Sequence, residues 1–209
     1  LIFEPMDLSQ ASPATVSRGG MIYLEPSTLG WRPILKSWVK SLPEVLIKEN
    51  AELIEAFMEW TIDPCLKFIR KHCKEYVPTS NSNLARSFMY LVEMLLYDAC
   101  QDPDASENRH IRTWLMSAML FSIPWSLGAC TDPDGRQKLD EFLRNMYNGK
   151  DEENPIPKAV GKIEVPMPDQ GLIYDYRFEQ KARGSWHHWN DSIKNTTISM
   201  TQKIQDILV

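Results

Sequence analysis

Apolar positions change their rhythm twice along the chain and divide it into three zones. Residues 1–26 hold two short apolar runs, Leu1–Phe3 and Met21–Leu24, on either side of a small polar stretch, Ser9–Gly20. This predicts two strands joined by a loop or a short helix. From 27 to 149 the spacing becomes three to four. Trp31, Leu35, Trp38, Val39 and Leu42 line one helix face, with Ser27 or Thr28 able to accept from its first free N–H groups and Pro43 to stop it. A second helix follows on Leu53, Ile54, Phe57, Met58 and Trp60. Asp63-Pro64 then reads as the cap and first residue of a third, through Leu66, Ile69 and Cys73.

Ser80–Asn83 offers several caps for the strongest helical stripe, Leu84, Phe88, Leu91, Val92, Leu95 and Leu96. Another helix is predicted from about Glu107 to Ile123, where Pro124 kinks or breaks it. Asp132-Pro133-Asp134-Gly135 is a turn and start signal for a helix on Leu139, Phe142, Leu143 and Met146. From 150 the character changes again. Asp151–Pro155 reads as a solvated linker, and Val160–Val165 and Leu172–Phe178 as the strands of a hairpin joined through Pro166–Gly171. Ile198–Val209 closes on an apolar run, and both ends look cut through structure. The expected fold class is mainly α with β elements.

Composition narrows the function classes. A chain of 209 residues, 43% hydrophobic and 24% charged, is long enough to bury about 70% of the surface its unfolded form exposes, with no need of disulfides or a structural metal. A net charge of −5 makes nucleic acid a poor partner, because phosphate binding needs a cationic surface. No apolar run approaches the roughly 18 to 20 residues that span a bilayer, and Leu1–Phe3 has no charged region before it, so it is not a signal peptide. Cys65, Cys73, Cys100 and Cys130 form no C-x-x-C pair and point to buried thiols in a reducing compartment, with no metal site. The Asn190 and Asn195 sequons carry no meaning in such a compartment. A calcium loop opened at Asp132 would need Glu at the twelfth position, where Leu143 stands. His187 and His188 lie between Trp186 and Trp189, as ligand cradle or as packed strand. No nucleophile, metal or phosphate-loop motif appears.

One stretch carries more information. The run Leu1-Ile-Phe-Glu-Pro-Met-Asp-Leu-Ser-Gln-Ala-Ser-Pro-Ala-Thr-Val-Ser-Arg-Gly-Gly-Met-Ile-Tyr-Leu-Glu-Pro26 closely resembles a segment of dynein heavy chains, the axonemal members in particular. The resemblance continues through Leu29–Pro33, Ile123–Ala129, Asp134–Arg136, Gly171–Tyr176, Gly184–Trp189 and Asp206–Val209. It implies a slice of an ATP-driven microtubule motor built as a ring of six AAA+ modules, working in cilia and flagella. Residues 1–26 would end the large subdomain of the second module, 27–149 would be its helical lid, and 150–209 a β-rich passage into the third.

The same resemblance implies the site residues. Arg18 stands where the family places an arginine finger acting in trans on the neighbouring module's ATP. A permanently charged guanidinium can bridge γ-phosphate oxygens in two places. The residues alone leave open a structural arginine paired with Glu4, Asp7 or Glu25. Gly19 replaces the family's usual Cys, and Glu4 or Pro5 takes the place of a sensor residue. Arg86 falls near the position of a lid arginine that touches the module's own nucleotide. Arg112, Arg136 and Arg144 read as helix-surface or bridging residues, and most of the seven tryptophans as packing residues of a rigid relay. ATP or ADP with magnesium would belong to the parent protein, with none held tightly by this fragment, which by itself should hydrolyse nothing. The implied partners are neighbouring AAA+ modules of the same heavy chain and, through other parts of the parent, intermediate and light chains and microtubules; membrane and nucleic acid are not among them. The alternative is a self-contained helical protein-interaction module.

Overall fold

A computed structural model describes residues 4–5, 7–22, 26–101 and 109–194. The expected strand Leu1–Phe3, Glu25, the helix start at Glu107 and the run Ile198–Val209 lie outside the described residues. α1 (Pro13–Arg18) is the short connecting helix. Ser12 caps it by accepting from the Thr15 N–H at 3.2 Å, and Pro13 takes the first helical position. The second expected strand is not seen where it can be followed: Met21 and Ile22 are exposed, 62% and 87%, and have no strand conformation. A strand needs a neighbour for its N–H and C=O groups, and none lies alongside among the described residues.

α2 (Pro26–Leu29) ends at Gly30, whose φ of +68° suits glycine. Ser27 and Thr28 therefore sit inside this turn, and the N-cap position of the next helix falls to Trp31. α3 (Arg32–Ser41) starts at Trp31 and buries the expected Leu35, Trp38 and Val39. α4 (Glu44–His72) corrects a second expectation, because it runs straight through Asp63-Pro64. Proline inside a helix costs on the order of 3 kcal/mol, but the helix is buried on both sides of the break, at Phe57, Met58, Trp60, Ile62, Cys65, Leu66 and Ile69. Packing therefore outweighs the local penalty. Asp63 turns sideways instead of capping, and accepts from Trp31 Nε1 at 2.8 Å and Arg32 Nη2 at 2.7 Å.

Ser80 caps α5 (Asn81–Gln101), accepting from the Asn83 N–H at 3.2 Å. α6 (Ile111–Ser126) likewise does not break at Pro124, since nearly its whole circumference is buried. Asp132 caps α7 (Pro133–Tyr147) through the Gly135 N–H at 2.8 Å, and Leu139, Leu143 and Met146 face inward as expected. α4 is central: Phe57 stacks on Phe88 of α5 at 6.3 Å and meets Trp60 edge-on at 5.8 Å, and Phe68 stacks on Phe142 of α7 at 4.4 Å.

Beyond α7 an arm crosses this helical body. It contains a 3-10 turn (Ile173–Asp175), β1 (Tyr176–Glu179), β2 (Ser185–His188) and α8 (Trp189–Lys194). β1 and β2 are antiparallel, with Tyr176 opposite His188 and Phe178 opposite Trp186. The expected hairpin thus has the wrong first strand. Residues 160–165 form none, because Val160 is drawn into the core and the Val165 carbonyl accepts from Trp186 Nε1 at 3.0 Å. The true turn uses Ala182 at φ +50° and Gly184 at φ +89°, and any Cβ on Gly184 would collide with the Phe178 ring. The fold class is as expected: mainly helical, with a small antiparallel hairpin. Among the described residues no helix is long and apolar enough to cross a membrane.

Two outcomes follow for stability. A Cβ on Gly128 would meet Tyr174 Oη, Leu139 Cδ2 at 2.5 Å and the Pro124 carbonyl at 2.9 Å, whereas Gly20 has nothing within 4 Å. Gly128→Ala should cost about 1–3 kcal/mol in urea unfolding and Gly20→Ala close to nothing; equal effects would refute the packing described. Burial favours the neutral form of Asp63, but the bonds from Trp31 and Arg32, with the charges of Arg32 and Lys67, outweigh it and hold the carboxyl below its usual value. Such a group contributes stability that is whole above its unfolded pKa of about 3.9 and is lost as pH falls through the lower folded value. The Tm deficit of Asp63→Asn should therefore be largest near neutrality and shrink below about pH 4.

Candidate functional site

Arg18 closes α1, a helix with no buried residue, and its side chain is exposed. Among the described residues it makes no ion pair with Glu4 or Asp7. Asp7 is instead occupied by Ser9, whose hydroxyl and N–H donate to Oδ1 at 2.7 and 2.9 Å and hold the carboxyl below its usual value. Glu25 lies outside the described residues. Gly19 caps α1 at φ −92°, a conformation open to any residue, so the departure from Cys does not exploit glycine's freedom.

Arg86 is exposed on the second turn of α5, opposite the buried Leu84, Ala85 and Phe88 face. It shares the outer face with Tyr90, Met94 and Tyr97, each about 60% exposed, which with Glu93 and Asp98 line an open groove. Arg18 and Arg86 are thus presented on separate supports, and the described contacts do not join them into one site.

Among the described residues the other reactive groups do not assemble into a catalytic centre. Ser185 Oγ lies 2.8 Å and Glu179 Oε2 3.2 Å from the same atom, His187 Nε2. A relay needs nucleophile and carboxylate on opposite ring nitrogens, so this exposed cluster is a surface network. Burial pushes the Cys65, Cys73 and Cys100 thiols up, away from the thiolate that would attack a substrate or bind a metal. No group of three or more His, Cys, Asp or Glu side chains that could hold a metal ion occurs among the described residues. A cleft lined by Arg112, Thr113, Met116, Ser117, Val160 and Lys162 has room for about one water.

What the side chains do organise is the arm. Trp60 Nε1 donates to the Asn154 carbonyl at 2.9 Å, Arg112 Nη2 to Ala159 at 3.0 Å and Trp114 Nε1 to Ala182 at 3.1 Å. Arg144 donates to Pro168 and Gly171 at 2.6 and 3.0 Å, and its Nε to Asp140 Oδ2 at 2.9 Å. The other Asp140 oxygen accepts from the Ile173 N–H at 2.7 Å. Arg136 lies over the Tyr174 ring, 5.5 Å from its centroid. Helix-borne donors thus grip arm carbonyls. Sequence reasoning missed Asp140 altogether; the only signal was its spacing of four from Arg144, which is also the spacing of an ordinary surface pair.

The family profile of the dynein heavy chain AAA lid domain matches residues 54–191, spanning α4 to the start of α8. This chain belongs to that family. It is 44% identical over its whole length to dynein axonemal heavy chain 12 of Mus musculus and 41% identical, again over its whole length, to dynein axonemal heavy chain 3 of the same organism. Dynein axonemal heavy chain 1 of Rattus norvegicus is 33% identical across 88% of the chain. The chain spans 7%, 5% and 4% of those relatives. The lid family match thus covers the helical body from α4 to α7 and most of the arm that its side chains hold.

Proposed function

We propose that this chain is part of the ATP-driven microtubule motor ring of an axonemal dynein heavy chain. In that ring residues 1–26 end the large subdomain of the second AAA+ module, 27–149 form its lid, and 150–209 lead into the third module. The observation that carries the reading is the lid-family match, joined to identity over the whole chain with axonemal heavy chains. The parent is an ATPase working with magnesium and ATP or ADP in the axoneme of cilia and flagella. Its partners are the adjoining AAA+ modules, the other dynein chains and the microtubule, and not nucleic acid or membrane. The isolated fragment, whose sequence has no phosphate-loop motif, turns over no nucleotide and holds none tightly.

Within that ring Arg18 is the finger that reaches the neighbouring module's ATP, and the lid relays ring closure. Support comes from the exposure of Arg18 at the end of a capped helix and from Asp7 being engaged elsewhere. An arginine finger contributes about 10³ to 10⁵ in rate, or roughly 4 to 7 kcal/mol. Arg86, exposed near the start of α5, is the lid arginine directed at the module's own nucleotide. The exposed Tyr90, Met94 and Tyr97 face also suits a piece of a larger assembly, since contiguous apolar surface marks contact sites. That same face favours the second reading, a self-contained interaction module, which requires a dedicated partner outside the ring.

Arg18→Ala and Arg18→Lys in the intact heavy chain should lower microtubule-stimulated ATPase by a factor on the order of 10³ and stop gliding; unchanged rates would sink the finger role. Calorimetric titration of the 209-residue chain with ATP should show very weak or no binding, and tight binding would overturn the module boundaries.

A further inference from the structure

We infer that Asp140 and Arg144 form a latch that makes the arm and the helical body one rigid piece, so that a turn of the lid reaches β2 and α8 without slack. The inference rests on the lid reading and adds to it the joint through which movement leaves the lid. The arm cannot hold its own course. Its strands are four residues each and, among the described residues, pair only with one another, and a lone two-stranded hairpin is marginal in water.

The latch lies just upstream of that hairpin. Asp140 is 8% exposed, and each of its oxygens is used, one by the Ile173 N–H and one by Arg144 Nε. Arg144 spends its two remaining nitrogens on the Pro168 and Gly171 carbonyls. Carboxylate, guanidinium and the 168–173 backbone thus close one circuit. The residues that follow enter the core at once: Ile173 is fully buried and Tyr174 nearly so. The hairpin tip is then tied down twice, by Trp114 Nε1 on the Ala182 carbonyl and by Gln180 Nε2 on the Leu95 carbonyl at 2.8 Å. Trp125 of α6 meets both Tyr174 at 5.8 Å and Trp189, the first residue of α8, at 6.5 Å, edge to face.

A buried ion pair adds little net stability, but removing one partner strands the other. Here the loss of Asp140 would free Arg144 and the Ile173 N–H together, and with them the fixed path of the arm. Lysine in place of Arg144 would keep the charge and lose the fork that reaches both carbonyls.

Hydrogen exchange by mass spectrometry on the intact heavy chain tests this, with basal and microtubule-stimulated ATPase read on the same samples. In Asp140→Ala the amides of 172–179 should exchange at least 10-fold faster while those of α4 and α5 stay as in wild type. Basal ATPase should be unchanged and its stimulation by microtubules should fall several-fold. Arg144→Lys, which leaves the Asp140 bond to Ile173 in place, should show the same pattern more weakly. Unchanged exchange in the arm, or loosening of α4 and α5 in both variants, would overturn the latch. Faster arm exchange with full stimulation would overturn its role in transmission. Neither result touches the Arg18 finger, whose failure would show in its own variants while the exchange pattern of the arm stood.

Discussion

A carboxylate at 8% exposure is tolerated only if its charge and lone pairs are met inside the protein, and the way Asp140 is met shapes the arm where it enters the core, from Pro168 to Tyr174. Its partners are one guanidinium on its own helix and one backbone N–H on the arm. The first fixes Arg144 in a single orientation, and that orientation presents the other two nitrogens to the 168–171 carbonyls. The second brings Ile173 to α7, which places Tyr174 against Trp125 and Arg136. From there the chain direction into β1 is settled. One buried charge thus fixes the course of the arm from Pro168 to Ile173.

The tryptophans extend the same logic. Five indole N–H groups find acceptors far away in sequence: Asp63 for Trp31, Glu93 for Trp38, Asn154 for Trp60, Ala182 for Trp114 and Val165 for Trp186. Each such bond adds only about 0.5–1.5 kcal/mol net, so none holds the structure alone. Their value is directional. A ring packed on the core cannot rotate freely, and its N–H then selects where the acceptor must lie. Three of the five acceptors are backbone carbonyls beyond α7; Trp60 and Trp114 fix two of them from the helical body, and Trp186 of β2 ties the arm to itself at the third.

The helices were legible because one face of each repeats every three to four residues, and that period survived in the structure from Leu35 to Met146. The misplaced boundaries share a cause. Pro64 and Pro124 are local stop signals, but the residues on both sides of each are buried, and burial summed over several turns exceeds the local cost. The first strand of the expected hairpin falls on 160–165 because alternation there records only which residues face the core; a side-chain donor, Trp186, takes the place of a partner strand. Asp140 was invisible for a different reason, and Arg144 was legible only as a surface or bridging residue, since a spacing of four does not tell a buried pair from a solvated one. Arg18 and Arg86 were reached only through resemblance: an exposed arginine has no periodicity to betray it.

The two arginines also differ in what holds them, and the difference bears on how a finger could work. Arg86 stands on a helix rooted by Leu84, Phe88, Met89, Val92 and Leu96, so its backbone position is inherited from the core. Arg18 stands on six residues, none buried, steadied among the described residues by the Ser12 cap, Pro13 and the Ser17 hydroxyl on the Ala14 carbonyl. Electrostatic catalysis depends on charge that is already in place when the transition state forms. A support with local order but no core contact cannot supply that by itself. Under the proposed role, the surface that receives Arg18 must also fix α1. The finger would then be preorganised only when the neighbouring module is seated against it, which ties its catalytic contribution to closure of the ring.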